Sequence, residues 1–278
     1  MNGKVCVITG ANSGIGKETA RGIAELGGHV VMVCRNVSKA EAAASDIRRT
    51  AKGAVEIVIG DLASLAGVRA VARELTDRHP AIDVLVSNAG VYRLRRTLTV
   101  DGFEEMFAVN HLAPFLLTNL LLDTLKASAP SRIVIVASGA HHGATLDFDD
   151  LQSERGYKAM GVYSKSKLGN VMFTYALARR LEGTDVTVNC LHPGFVATNL
   201  GSGNIIPVKP VMAVLRLFVR GPKKGAETAV YLASSHDVEA VSGKYFFDQT
   251  ERRSSTESRD VAKQEQLWDI STTLTNLA

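Results

Sequence analysis

Short apolar runs recur along the chain, each separated from the next by a longer segment of helical period: Val5 to Thr9, Val30 to Val33, Val55 to Ile59, Val84 to Ser87, Ile133 to Ala137 and Val186 to Leu191, with a last run from Tyr245 to Phe247. The first six are continuous rather than alternating, as expected of strands covered on both faces, and the segments between them are long enough for crossover helices. This order predicts an α/β fold, a doubly wound parallel sheet of seven strands with helices on both faces. The 278 residues could hold two domains, but no linker rich in Pro, Gly and Ser divides them, so residues 1–278 are expected to form a single domain.

Composition narrows the class further. Hydrophobic residues make up 46% of the chain, enough for a large core. The net charge of +4 is small and its basic residues are spread along the sequence, which argues against a nucleic acid as partner. Cys6, Cys34 and Cys190 lie in apolar runs without CxxC spacing, as expected of reduced core thiols in a cytoplasmic protein. The chain opens MNGKVCVITG, and no apolar run is long enough to span a bilayer, so neither export nor a transmembrane segment is expected.

The first apolar run leads into Thr9, Gly10, Ala11, Asn12, Ser13, Gly14, Ile15 and Gly16, then into a segment with helical spacing at Ala20, Ile23 and Ala24. Glycines between a first strand and a first helix permit a tight turn and let backbone approach a pyrophosphate, which the N–H groups of the helix start can bind. A glycine trio alone can also serve tight packing, and its position is what makes this a dinucleotide site of Rossmann type. An acidic residue that binds a ribose 2′-hydroxyl would close the second strand. That strand instead ends Val33, Cys34, Arg35, Asn36. Arg35 can pair with a 2′-phosphate, with Asn36 adding a neutral hydrogen bond, so NADP(H) is the expected cofactor; a solvated surface arginine is the alternative. Asp61 and Leu62 follow the third strand, where an Asp is by itself a natural helix cap, and Asn88, Ala89 and Gly90 form a turn after the fourth.

Tyr163 and Lys167 stand four apart in a helical segment, on one helix face. A nearby ammonium favours a phenolate, so this pair can bring a tyrosine toward a useful acid–base range. Ser138, at the end of the fifth strand, can donate to a substrate carbonyl oxygen, although a serine there also serves as a cap. Asn110 lies among apolar neighbours in Met106 to His111, where a local hydrogen bond is its ordinary use. His141, His142 and His192 lack further ligands at metal spacing, so no metal is expected.

In this order, TGxxxGxG, Asn-Ala-Gly, Ser138 and YxxxK, the sequence resembles the short-chain dehydrogenase/reductase family over essentially its whole length. The resemblance implies a catalytic tetrad of Asn110, Ser138, Tyr163 and Lys167, with Lys167 also on the nicotinamide ribose and Asn110 helping to hold a water through which protons reach Lys167. It implies Asp61 against the adenine amino group and Asn88-Ala89-Gly90 along the cofactor. Pro193 to Thr198 match the family's PGxxxT, which places Pro193, Gly194, Val196 and Thr198 beside the nicotinamide. Cys34 to Asn36, Asp147 to Glu154, His192 to Gly194, Ser242 to Phe246, Leu267 to Ile270 and the 25 residues from Ser138 to Tyr163 are similar to the retinol dehydrogenase-like branch.

The expectation is therefore an oxidoreductase that moves a hydride between NADP(H) and an alcohol or carbonyl carbon. Its cofactor half would run to about residue 137 and its catalytic half from about 138. The segment 195–224, with Ile205, Ile206, Val208, Val211, Leu215 and Phe218, suits a lid over a lipophilic or aromatic substrate; it could equally pack on the core or join a homo-oligomer. An epimerase or dehydratase of the family's extended branch would usually carry more C-terminal substrate domain. A nucleotide-sensing regulator on the same fold remains the alternative outside enzymes, since fold does not dictate function.

Overall fold

The computed structural model describes residues 1–195 and 220–277. Its centre is one sheet of eight strands in the order β3-β2-β1-β4-β5-β6-β7-β8. These are β1 (Val5–Thr9), β2 (His29–Cys34), β3 (Val55–Ile59), β4 (Val84–Ser87), β5 (Ser131–Val136), β6 (Val186–Leu191), β7 (Lys244–Phe247) and β8 (Thr250–Arg252). All neighbours are parallel except β7 and β8. The eighth strand corrects the expected seven. It is three exposed residues, Thr250 to Arg252, and it returns through Asp248 and Gln249, whose φ angles of 49° and 59° build a tight hairpin without glycine. An apolar-run criterion passes over so polar an edge.

Both faces of the sheet are buried, and β1 shows how. Val7 packs into one cluster with Val68, Val71, Leu75, Phe115 and Leu177, while its neighbours Cys6 and Ile8 pack into the other with Ala20, Ile23, Ala40, Ile47 and Ala229. Successive side chains point to opposite faces, so a strand covered on both sides must be apolar at every position. Helices Leu65–Arg78, Ala113–Leu120 and Ala159–Arg180 cover the first face; Gly14–Glu25, Val37–Arg48 and Pro222–Ser234 cover the second. Complete burial of one Leu or Ile stabilises by roughly 1.5–3 kcal/mol, so these two clusters account for most of the stability of the sheet.

Helix starts follow local chemistry. Asn36 accepts from the Lys39 N–H, Ser64 from Gly67 and Asp260 from Lys263, each oxygen satisfying a donor that the first turn leaves open. Strand order reverses between β1, paired with β2, and β4, leaving a crevice at the carboxyl ends of the strands. There lies a cavity of about 1030 Å³.

Candidate active site

One end of this cavity is built by two turns that grip each other. Thr9 Oγ1 accepts from the backbone N–H of Asn88 at 2.9 Å and of Ala89 at 3.0 Å, and Asn88 Nδ2 donates to the Thr9 carbonyl at 2.8 Å. Gly10 has φ 67°, and a Cβ on Gly16 would stand 2.3 Å from Asn88 Nδ2 and 2.5 Å from the Gly10 carbonyl oxygen. Both positions exclude a side chain, one by conformation and one by space. Ser13 caps the helix Gly14–Glu25 with extended backbone but no side-chain hydrogen bond. Gly10, Asn12, Ser13, Gly14, Ile15 and Gly16 all line the cavity, as do Asn88, Ala89 and Gly90.

At the adenine-side edge expected from the sequence, Arg35, Asn36, Asp61 and Leu62 line the same space. Arg35 Nη1 lies 3.9 Å from Asp61 Oδ1, and both side chains are largely exposed. Asp61 is not a helix cap; that place belongs to Ser64, while Asp61 Oδ1 accepts from the Ala63 N–H at 3.0 Å. Asn36 Oδ1 is occupied by capping, which leaves its amide N–H groups for a ligand. Lys39 joins this group as a further cation lining the cavity. Sequence reading missed it; the available signal was its place in the first turn of a helix that starts at the strand end.

The other end holds the residues expected to handle a proton. Tyr163 and Lys167 extend from the helix Ala159–Arg180 into the cavity, opposite Ser138 at the end of β5. Burial raises the Tyr163 pKa, and a side-chain hydrogen bond with Ser138 opposes that rise. Lys167 is only 3% exposed; its ammonium lies 5.9 Å from the Tyr163 ring centre and donates to the Val136 carbonyl at 2.9 Å. Burial lowers its pKa to about 8. The expected lowering of the tyrosine by the lysine therefore does not dominate here, because loss of hydration acts on both groups and pushes each toward its neutral form. Burying an ammonium costs several kcal/mol and one hydrogen bond to a charged group returns about 1.5–3, so the burial of Lys167 does not by itself stabilise the fold.

Asn110 is fully buried in a π-helical turn, Ala108–Leu112. Its amide donates to the Val91 carbonyl at 3.1 Å and to Ser166 Oγ at 2.9 Å, and its oxygen accepts from the Val91 N–H at 2.8 Å. Both amide hydrogens are thus committed to tying the Gly90 turn to the helix of Tyr163. Pro193 and Gly194 line the cavity, with Gly194 at φ 83°. Val196 and Thr198 lie outside the described residues, as does most of the expected lid 195–224. His192, Tyr92, Met160 and Phe195 also face the cavity; Tyr92 meets the Tyr163 ring edge-on at 5.6 Å, and Phe195 is 80% exposed. Among the described residues, no group of three or more His, Cys, Asp or Glu is arranged to hold a metal ion, and no helix is long and apolar enough to cross a membrane.

Residues 4–205 match the model of the short chain dehydrogenase family. Over the whole chain the sequence is 47% identical to human retinol dehydrogenase 14, covering 88% of that protein, and over 99% of the chain it is 44% identical to human retinol dehydrogenase 13, covering 85% of it. Among solved structures, an uncharacterised protein from Mycobacterium Paratuberculosis superposes with a TM-score of 0.80 at 35% identity, covering 99% of this chain and 94% of that one. A protein described as an NAD(P) dependent gluconate 5-dehydrogenase from Beutenbergia cavernae, with NADP bound, has a TM-score of 0.72 at 29% identity, covering 88% of this chain and 95% of its own.

Proposed function

The chain belongs to the short-chain dehydrogenase family, in its retinol dehydrogenase-like branch, and from that premise we propose that it is an NADP(H)-dependent oxidoreductase of lipophilic alcohols and their aldehydes or ketones, with Tyr163 as the proton-transfer group. The observation that carries this reading is the convergence of Ser138, Tyr163 and Lys167 at one end of a cavity whose other end is the glycine turn. The residues fit a dinucleotide: side chains are excluded where a pyrophosphate would approach, and Arg35, Asn36 and Lys39 collect at the strand end where a 2′-phosphate would sit. When bound, the nicotinamide supplies or accepts the hydride.

The protein's own residues supply the proton and the alignment. The Ser138 hydroxyl holds the substrate oxygen next to Tyr163. In reduction Tyr163 gives its proton to that oxygen, and its raised pKa keeps the phenol protonated at neutral pH, which suits an acid. Lys167, with ammonium hydrogens left beyond its one bond to Val136, returns a proton to Tyr163. Reduction should therefore hold through neutral pH and decline as pH rises past the Lys167 pKa of about 8, whereas oxidation, which needs Tyr163 as a base, should rise with pH. Tyr92, Met160 and Phe195 give the substrate end an apolar wall, and the names of the retinol dehydrogenase relatives support a lipophilic substrate. Cys6, Cys34 and Cys190 are unpaired and buried, which supports a reducing compartment such as the cytoplasm.

The test is NADPH consumption by the purified protein with a panel of aldehydes, ketones and retinoids. Tyr163→Phe should keep cofactor binding and lose turnover by roughly two to four orders of magnitude. A variant with more than about a tenth of the wild-type kcat removes Tyr163 from the chemistry.

A further inference from the structure

His141 lies three residues beyond Ser138, in the 3-10 turn Gly139–Gly143, and is completely buried. Its two ring nitrogens have different partners. Nε2 is 3.2 Å from the Ser255 backbone nitrogen, and Nδ1 is 2.7 Å from the Ser138 carbonyl oxygen. A backbone N–H can only donate, so Nε2 is the bare acceptor. Nδ1 therefore carries the hydrogen and donates it to Ser138. The backbone N–H of His141 reaches the same carbonyl at 3.2 Å. Burial outweighs the opposing hydrogen bond to the Ser138 backbone and lowers the pKa of the ring to about 4, so this one neutral tautomer persists at neutral pH.

These bonds fix the residue that bears the substrate-holding hydroxyl. Ser138 Oγ accepts from the Ala140 N–H at 3.2 Å, which leaves its own hydrogen to donate. The far side of His141 is anchored as well. Ser255 follows Ser254, whose Oγ accepts from the Tyr175 hydroxyl at 2.6 Å, and Tyr175 lies on the same helix as Tyr163 and Lys167. Ser258 Oγ closes the knot by donating to the Ser255 carbonyl at 2.7 Å. The ring itself is wedged against His142 at 4.1 Å and Tyr245 at 4.8 Å between centres. A continuous path thus runs from Ser138 through His141 and the C-terminal serines to the helix of Tyr163.

We propose that His141 is a positioning residue that acts through Ser138: its Nδ1–H sets the Ser138 backbone, and so the direction of the Ser138 hydroxyl relative to Tyr163, using the Ser254–Ser258 segment as a brace. The inference rests on the reading of Ser138 given above and extends it to a residue that does not line the cavity.

Two polar replacements separate the two ring contacts. His141→Asn keeps a donor at the Nδ1 place and loses the acceptor for Ser255; His141→Gln can accept from Ser255 and loses the donor to Ser138. With NADPH and a carbonyl substrate, His141→Gln should lower kcat about tenfold or more while leaving the KM for NADPH within about twofold, and His141→Asn should recover most of the loss, as expected of a misaligned rather than missing group. In a Ser138→Ala background, followed by single-turnover kinetics, neither substitution should matter further. The proposal is overturned by equal losses in the two variants, by an effect that persists without the Ser138 hydroxyl, or by a His141→Gln protein that loses cofactor binding together with activity. Inactivity of the wild type would instead refute the oxidoreductase reading on which the test depends.

Discussion

Arg35 lies 3.9 Å from Asp61, and at this exposure such a pair contributes about 0–1 kcal/mol, too little to hold the guanidinium against a dianionic phosphate. A charge-assisted contact to a 2′-phosphate is worth ~1.5–3 kcal/mol, or roughly ten- to a hundredfold in affinity. Arg35→Asp removes that partner, sets a second carboxylate beside Asp61, and offers an acceptor to a ribose hydroxyl. The ratio of kcat/KM for NADPH over NADH should invert; a wild type that prefers NADH, or an unchanged ratio, would make Arg35 a plain surface residue. At this scale the site residues that could be read from sequence were those whose meaning depends on chain order: the glycine turn, Arg35, Ser138, Tyr163 and Lys167 each follow a recognisable strand or share a helix face. Lys39 had only the weak signal of its place one turn into the helix after Arg35, and Tyr92 and the buried contact of His141 with Ser255 had none, because they depend on how a loop and a distant segment meet in space.

Among the elements, the parallel strands were legible to within two residues because burial on both faces leaves a continuous apolar run. The antiparallel edge strand Thr250–Arg252 and the π-helical turn at Asn110 leave no such pattern. The contact of the glycine turn with the Asn88 turn is an element-scale joint, and Thr9 holds it with one hydroxyl accepting two backbone N–H groups. Thr9→Val keeps the shape and deprives the N–H groups of the half-buried Asn88 and Ala89 of their shared acceptor. A hydrogen bond of this kind contributes about 0.5–1.5 kcal/mol net, so losing two should lower the urea-unfolding free energy by about 1–3 kcal/mol, with weaker NADPH binding as the turn loosens. Full retention of stability would show that water, not Thr9, satisfies those groups.

For the molecule as a whole, the sheet order puts the crevice between β1 and β4; alternating strands and helices predict a crevice at the carboxyl ends of the strands, but not which two strands flank it. Acid stability also belongs to this scale. His111 and His141 are both completely buried, with burial lowering each from 6.5 to about 4. Above pH 6.5 both states hold these rings neutral; as pH falls below 6.5 the unfolded chain takes up protons that the folded chain refuses, so stability declines until about pH 4. The loss approaches about 3 kcal/mol per ring, and His111→Asn should flatten the fall in urea-unfolding free energy between pH 6.5 and 4, whereas an unchanged slope would show that the ring charges in place. Whether this cavity transfers hydride or only binds a nucleotide is decided by following the hydrogen itself. With NADPH deuterated at the transferred position of the nicotinamide and a lipophilic aldehyde, the wild type should form an alcohol bearing one deuterium on the former carbonyl carbon, and Tyr163→Phe should form it roughly a hundredfold or more slowly. Tight cofactor binding with no labelled alcohol from any aldehyde, ketone or retinoid in the panel would contradict hydride transfer and leave a nucleotide-binding protein without turnover.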